Sequence, residues 1–191
     1  MSTGKLVVAV TGASGAIYAK RFVEAASSRF DEMFLMLSTQ AKQVFHHELD
    51  LSATDWLGSI PNVKLLNEKD YFTPPASGSF RHDGMVIVPC SMGTAGRIAN
   101  GISNDLVTRA ADVCLKEGRK LILVPREMPW NLIALRNMTQ LAEAGATILP
   151  ACPAWYSAPK TLEDLADTVV SRILQNLGVE QNLMKEWMAE D

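Results

Sequence analysis

Short apolar runs alternate with amphipathic stretches along the whole chain. Residues 6–10, 33–37, 85–88 and 121–124 are hydrophobic throughout, 146–149 is so apart from Thr147, and a weaker run covers 63–66. Each run is too short for a helix, and several are rich in β-branched residues, so they predict buried strands. Between them lie segments with helical spacing: 16–28, 40–49, a short piece near Trp56, 104–117, 132–144 and 161–177. In the 104–117 segment Leu106, Ala110, Val113 and Cys114 fall on one face. Gly145 and Gly178 stand where two of these helices should stop, and Thr161-Leu162-Glu163-Asp164 reads as a capping start. Strands without a polar face, regularly alternating with helices, predict an α/β fold with an open parallel sheet covered on both faces.

Composition narrows the picture. The chain has 191 residues, 48% hydrophobic and 20% charged, with a net charge of −3. That balance predicts a globular protein read as a single domain over 1–191, gives no electrostatic case for nucleic acid, and offers no membrane span. The first strand begins within a few residues of Met1, leaving no room for a signal peptide, so a cytoplasmic location is expected. Cys90, Cys114 and Cys152 have no metal-type spacing and read as reduced thiols in or near the core. The tail, about 179–191, carries Leu183, Met184, Trp187 and Met188. It is expected to pack on a neighbouring subunit, as is the Pro/Ser-rich loop around Ser77, which points to a homo-oligomer.

In such a sheet, ligands bind beyond the carboxyl ends of the strands. Small and polar residues collect there. Gly12-Ala13-Ser14-Gly15 follows the first strand directly and opens a helix, a setting suited to an anion. Ser38 follows the second strand, Ser91 to Thr94 the fourth, Arg126-Glu127 the fifth, and the segment with Cys152, Trp155 and Tyr156 the last. Ser38 and Thr94 also read as helix N-caps. Arg126 and Glu127 also read as a solvated pair, and Lys116 and Arg172, late in helices, as cations complementing the dipole. His46 and His47 read as surface or interface residues. Neither a Ser-His-Asp triad nor a metal site is supported.

Several motifs in order resemble one family. They are Gly12-Ala13-Ser14-Gly15-Ala16, Pro74-Pro75-Ala76-Ser77-Gly78-Ser79, Pro89-Cys90-Ser91, Arg109-Ala110-Ala111-Asp112-Val113, Leu115-Lys116-Glu117 and Val124-Pro125-Arg126-Glu127, with Tyr156 and Arg172 beyond. Over nearly its full length the chain resembles the flavin prenyltransferases, the UbiX-type proteins formerly described as aromatic acid decarboxylases. The resemblance implies a Rossmann-like flavoprotein that joins a dimethylallyl group from dimethylallyl monophosphate to reduced FMN, without a metal. It implies a homododecamer with active sites shared between subunits, and a prenylated FMN product supplied to a UbiD-type decarboxylase. By the same resemblance, Gly12, Ala13, Ser14, Ser38, Ser91, Met92, Gly93, Thr94 and Arg126 bind FMN. Lys116, Arg126, Tyr156 and Arg172 surround the prenyl phosphate. Glu127 is the acid/base group, Ser14 lies near the reactive flavin nitrogen, and Glu48 reaches in from a neighbouring subunit. Tyr71, Met92-Gly93 and Met128-Pro129-Trp130 depart from the commonest family wording and bear on substrate preference.

Three rival readings share features of the sequence. An FMN-dependent cysteine decarboxylase has the same fold, but no matching Pro-x-Met-Asn segment or strand-end His is present. A nicotinamide-dependent oxidoreductase also begins with Thr-Gly-Ala-Ser-Gly, yet Ser38 stands where an acidic residue would take a ribose hydroxyl, and no Tyr-x-x-x-Lys pair occurs. A flavin-binding protein without catalysis would not need Lys116, Glu127, Tyr156 and Arg172 together.

Overall fold

The structure is a computed structural model and describes residues 4–184. Strands β1 (Lys5–Val10), β2 (Glu32–Leu37), β3 (Val63–Leu66), β4 (Gly84–Cys90), β5 (Leu121–Pro125) and β6 (Thr147–Ile148) form one sheet in the order β3-β2-β1-β4-β5-β6. Every pairing is parallel. Helices α1 (Ala16–Ser27), α2 (Thr39–Leu49), α3 (Ala53–Gly58), α4 (Met92–Ala99), α5 (Leu106–Lys116), α6 (Leu132–Glu143) and α7 (Leu162–Leu177) complete the chain. The strand order reverses between β1 and β4, which opens a crevice at their carboxyl ends.

Period-two alternation explains why these strands are apolar throughout. Leu6, Val8 and Val10 face one core layer with Phe22 of α1, Phe45 of α2 and Ile173 of α7. Val7 and Ala9 face the other, with Ile87, Leu123, Leu106 and Leu141. Both faces of the sheet are covered, and each large buried side chain contributes about 1.5–3 kcal/mol. On the first face, Arg21 Nε and Nη2 donate to the two carboxylate oxygens of Asp167 at 2.8 and 2.6 Å, joining α1 to α7. Asp167 is buried, so the fork-on-carboxylate geometry is what makes its charge tolerable there.

Most sequence boundaries hold within a residue or two. The last strand is shorter than the 146–149 run, although Leu149 and Ala151 N–H still donate to Leu123 and Pro125 carbonyls at 2.9 Å. Strand β4 runs on past Pro89 to Cys90, with a register shift against β5 that absorbs the proline. The N-cap of α4 is Ser91, not Thr94: the Ser91 Oγ accepts the Thr94 N–H at 3.3 Å. Helix α5 starts at an Asp105 capping box, which places its first residue at 106.

The two segments expected to meet a neighbouring subunit also have partners within the chain. Pro75 is buried, Arg109 Nε donates to the Ala76 carbonyl at 3.1 Å, and Arg119 Nη1 donates to that of Phe80 at 2.7 Å, so the chain's own arginines hold the loop around Ser77. Leu183 packs on the first core layer, while Trp187 and Met188 lie outside the described residues. Cys90 and Cys114 are buried, and burial pushes both thiols up to about 12. Cys152, by contrast, is exposed, because it lies in the irregular segment after β6. No described helix is long and apolar enough to cross a membrane.

Candidate active site at the carboxyl ends of the strands

The crevice is set by local chemistry at the strand ends. Thr11, the residue after β1, ties the switch point together. Its hydroxyl donates to the Pro89 carbonyl at 2.9 Å and accepts the Ser91 N–H at 2.8 Å. The next residue must be Gly12, since a Cβ there would collide with Gln40 Cβ at the start of α2. Gly15 has φ of 110°, and a Cβ there would also meet the Tyr18 ring. Ser38 caps α2, its Oγ accepting from Ala41 N–H at 3.0 Å. Ser91 Oγ donates to Thr94 Oγ1 at 3.0 Å. Together these elements bound a cavity of about 570 Å³, lined by Thr11, Gly12, Ser38, Thr39, Gln40, Glu68, Lys69, Ser91, Gly93, Thr94, Arg97, Asn104 and Asp105.

A charged cluster flanks this cavity on the β5 side. Arg126 follows β5, and its Nε donates to the Ser14 carbonyl at 3.0 Å. The Glu48 carboxylate accepts from Gly15 N–H at 2.9 Å and from Ala16 N–H at 2.8 Å, covering the N-terminus of α1. Burial works against its charge, but the Ser14 hydroxyl, the Ala16 and Gly15 N–H donors and the Arg126 charge outweigh it. They hold the carboxyl below the usual range. Burial pushes the Tyr18 phenol up; the neighbouring Cys152 adds to this and Arg126 opposes it. Glu127 is exposed; its Oε1 accepts the Met128 N–H at 3.1 Å, and its carbonyl takes the Trp130 indole N–H at 2.8 Å.

A second cavity, about 460 Å³, opens between β6 and α7 and is lined by residues that include Pro150, Cys152, Tyr156, Thr168 and Arg172. Arg172 Nη1 donates to Gln175 Oε1 at 2.6 Å.

The structure therefore gathers most of the sequence candidates at one rim. Gly12, Ser38, Ser91, Gly93 and Thr94 line the first cavity, Ser14 binds both Arg126 and Glu48 at the neighbouring turn, and Tyr156 and Arg172 line the second. Ala13 is buried under the turn and Met92 packs into the second core layer. Glu48 was expected from a neighbouring copy, but this chain's own Glu48 already engages its Gly15 and Ala16, because α2 ends against the start of α1.

Lys116 is not at the rim. It ends α5, whose N-cap Asp105 lines the first cavity, so the helix carries it roughly 16 Å toward the amino ends of the strands. There it pairs with Glu117, against Gly78 of the loop. Sequence reasoning missed Thr11, Thr39, Glu68, Arg97 and Asp105. Thr11 and Thr39 carried a local signal, each adjoining a predicted strand-end residue, and Arg97 stands one helical turn after Thr94; Glu68 and Asp105 carried none.

A parallel sheet in this order, with a hydroxyl-rich crevice at its switch point, defines a Rossmann-type nucleotide-binding protein. The flavoprotein family profile matches residues 1–174. The flavin prenyltransferase UbiX of Methanocaldococcus jannaschii is 45% identical over 96% of this chain and 98% of its own length. A dodecameric FMN-dependent UbiX-like decarboxylase from Escherichia coli O157:H7 superposes with a TM-score of 0.91 at 41% identity, covering 97% of this chain and all of that one. AnUbiX (PadA1), solved with FMN and dimethylallyl pyrophosphate, gives 0.90 at 38% identity over 98% of both chains. The chain belongs to the flavin prenyltransferase family of flavoproteins.

Proposed function

We propose that this chain transfers a dimethylallyl group from dimethylallyl monophosphate to reduced FMN, and that it works in the cytoplasm as a homododecamer of one-domain subunits. Its prenylated FMN would go to a UbiD-type decarboxylase. One contact carries this reading. Arg126, after β5, reaches the Ser14 carbonyl in the turn after β1, so a guanidinium, a hydroxyl and the Glu48 carboxylate gather at the turn whose Gly12 lines the flavin-sized cavity.

The residues present fit FMN. The first cavity falls in the size range of small-ligand sites. Its walls offer the Ser38, Thr39, Ser91 and Thr94 hydroxyls, and Gly12 leaves no side chain on its floor. Reduced FMN, when bound, supplies the electron-rich ring atoms that accept the prenyl group. The protein's work is on the other partner. A monophosphate is a poor leaving group, so Arg126, Tyr156 and Arg172 would bind its oxygens and spread the charge that develops as the carbon–oxygen bond breaks. Glu127, next to Arg126, would hold the proton exchanged at that oxygen. Lys116 would serve the site of an adjoining copy, since its own fold keeps it away from the rim. Exposed Met128, Leu132, Ile133 and Trp155 supply apolar surface for such packing.

The test is an anaerobic incubation of the purified protein with reduced FMN and dimethylallyl monophosphate, followed by mass analysis of the flavin. A flavin heavier by one five-carbon unit is expected. FMN recovered unchanged, with the protein folded and FMN bound, would overturn the reading.

A further inference from the structure

We propose that Trp130 is a positioning residue for Glu127: its indole N–H closes the turn after β5 and fixes the direction in which the Glu127 carboxylate meets the substrate. The inference rests on the acid/base reading of Glu127 above and deepens it. Residues 126–130 form a turn held at both ends. At the first end the Arg126 N–H donates to the Cys90 carbonyl at 3.3 Å, and the Arg126 side chain donates to the Ser14 carbonyl at 3.0 Å. At the other end Trp130 packs on the second core layer. Glu127, Met128 and Pro129 between them are exposed. A stretch of this kind has little packing of its own to hold it in one conformation.

A hydrogen bond across the turn supplies what packing does not. Trp130 Nε1 donates to the Glu127 carbonyl at 2.8 Å. An indole has one donor and no acceptor, so this contact uses its whole polar capacity. The Glu127 carbonyl and the Met128 N–H belong to the same planar peptide unit, so fixing one fixes the other. The Met128 N–H in turn donates to Glu127 Oε1 at 3.1 Å. Trp130 thus sets the peptide plane, the plane aims the N–H, and the N–H holds one carboxylate oxygen. The other oxygen, Oε2, takes no hydrogen bond among the described residues, which leaves it to exchange a proton with the leaving phosphate. Without the indole donor the peptide plane is free to turn, and Glu127 samples directions that do not serve the reaction. Trp130 also precedes Asn131, whose Oδ1 caps α6 by accepting the Ala134 N–H at 2.8 Å. A purely structural Trp130 would anchor that helix and nothing more, and the two roles predict different results.

The test is a double-mutant cycle on the full chain. It is read as anaerobic single-turnover prenyl transfer from dimethylallyl monophosphate to reduced FMN, with FMN affinity and denaturant unfolding recorded for each protein. Trp130→Phe keeps an aromatic ring and deletes the donor. It should slow transfer on the order of tenfold and leave FMN affinity unchanged. In a Glu127→Gln background the same substitution should slow transfer by less than about twofold, because a residue that acts through Glu127 then has no carboxylate to position. Trp130→Leu, which also keeps an apolar side chain without a donor, carries the same cycle if Trp130→Phe folds poorly. Equal losses of rate in both backgrounds, or lowered stability with an unchanged rate, would overturn the proposal and leave Trp130 as an anchor for α6. So would a loss that appears only in FMN affinity. If Glu127→Gln turns over normally, the acid/base reading fails and this inference falls with it; if Glu127→Gln is slow and Trp130→Phe is not, only this inference fails.

Discussion

The two edges of the sheet carry the candidate site in different ways. At the carboxyl edge, Ser14, Ser38, Ser91 and Arg126 each stand within a few residues of a strand, so the parallel sheet brings them to one rim whatever the helices do. At the amino edge, Lys116 ends a helix and packs with Glu117 against Gly78, beneath a loop held by Arg109 and Arg119. One edge is complete in hydroxyls and backbone donors. The other presents a cation that lines neither of the two cavities described above. In a parallel sheet, residues just past the strands and residues just past the helices lie at opposite edges, so chemistry placed at both can meet only between copies.

Substitutions at the two edges should therefore separate binding from turnover. The largest effect is expected for Glu127→Gln, which keeps the shape of the 126–130 loop. Single-turnover prenyl transfer should fall on the order of a hundred- to ten-thousandfold while FMN affinity holds. A near-normal rate would leave Glu127 as a structural partner of its own loop. Next is Gly12→Ala, where the added methyl meets Gln40 and the start of α2 must move. A loss of about 1–3 kcal/mol in denaturant unfolding is expected, together with weakened FMN binding; unchanged stability would show that the turn has slack.

The smallest effect concerns pH. The Glu48 carboxyl is held below its ordinary range in the fold, so its contribution to stability is present above the unfolded value of about 4.3 and is lost as pH falls through the folded value. The difference in melting temperature between the unaltered chain and Glu48→Gln should be constant near neutrality and shrink below about pH 4. A gap that persists at low pH would remove the charged cap on α1 from the account.

Distance along the chain decided how much of this was legible. Strands, helix stops and the strand-end hydroxyls are local: apolar runs, Gly145, Gly178 and Ser38 announce themselves within a few positions. The carboxylates on the helix N-termini are not. Glu48 lies 33 residues from Gly15 and Glu68 lies 29 from Thr39, so only packing shows which helix each one covers. The same holds for Arg126, 112 residues from the Ser14 carbonyl it binds. Lys116 is the instructive case. Family likeness put it with the phosphate ligands, and the polarity of α5 alone would have placed it at the far edge.

The most direct test of the central claim, that rim and amino edge meet between copies, is complementation. Glu127→Gln and Lys116→Gln chains carrying different tags would be co-expressed, and oligomers containing both kinds would be isolated through the two tags in turn. Each variant alone should form little prenylated flavin. The mixed oligomer should regain a clear fraction of activity, because an intact Glu127 rim can meet an intact Lys116 from another copy. A mixed oligomer no more active than the separate variants, or a Lys116→Gln protein that turns over normally by itself, would contradict the account.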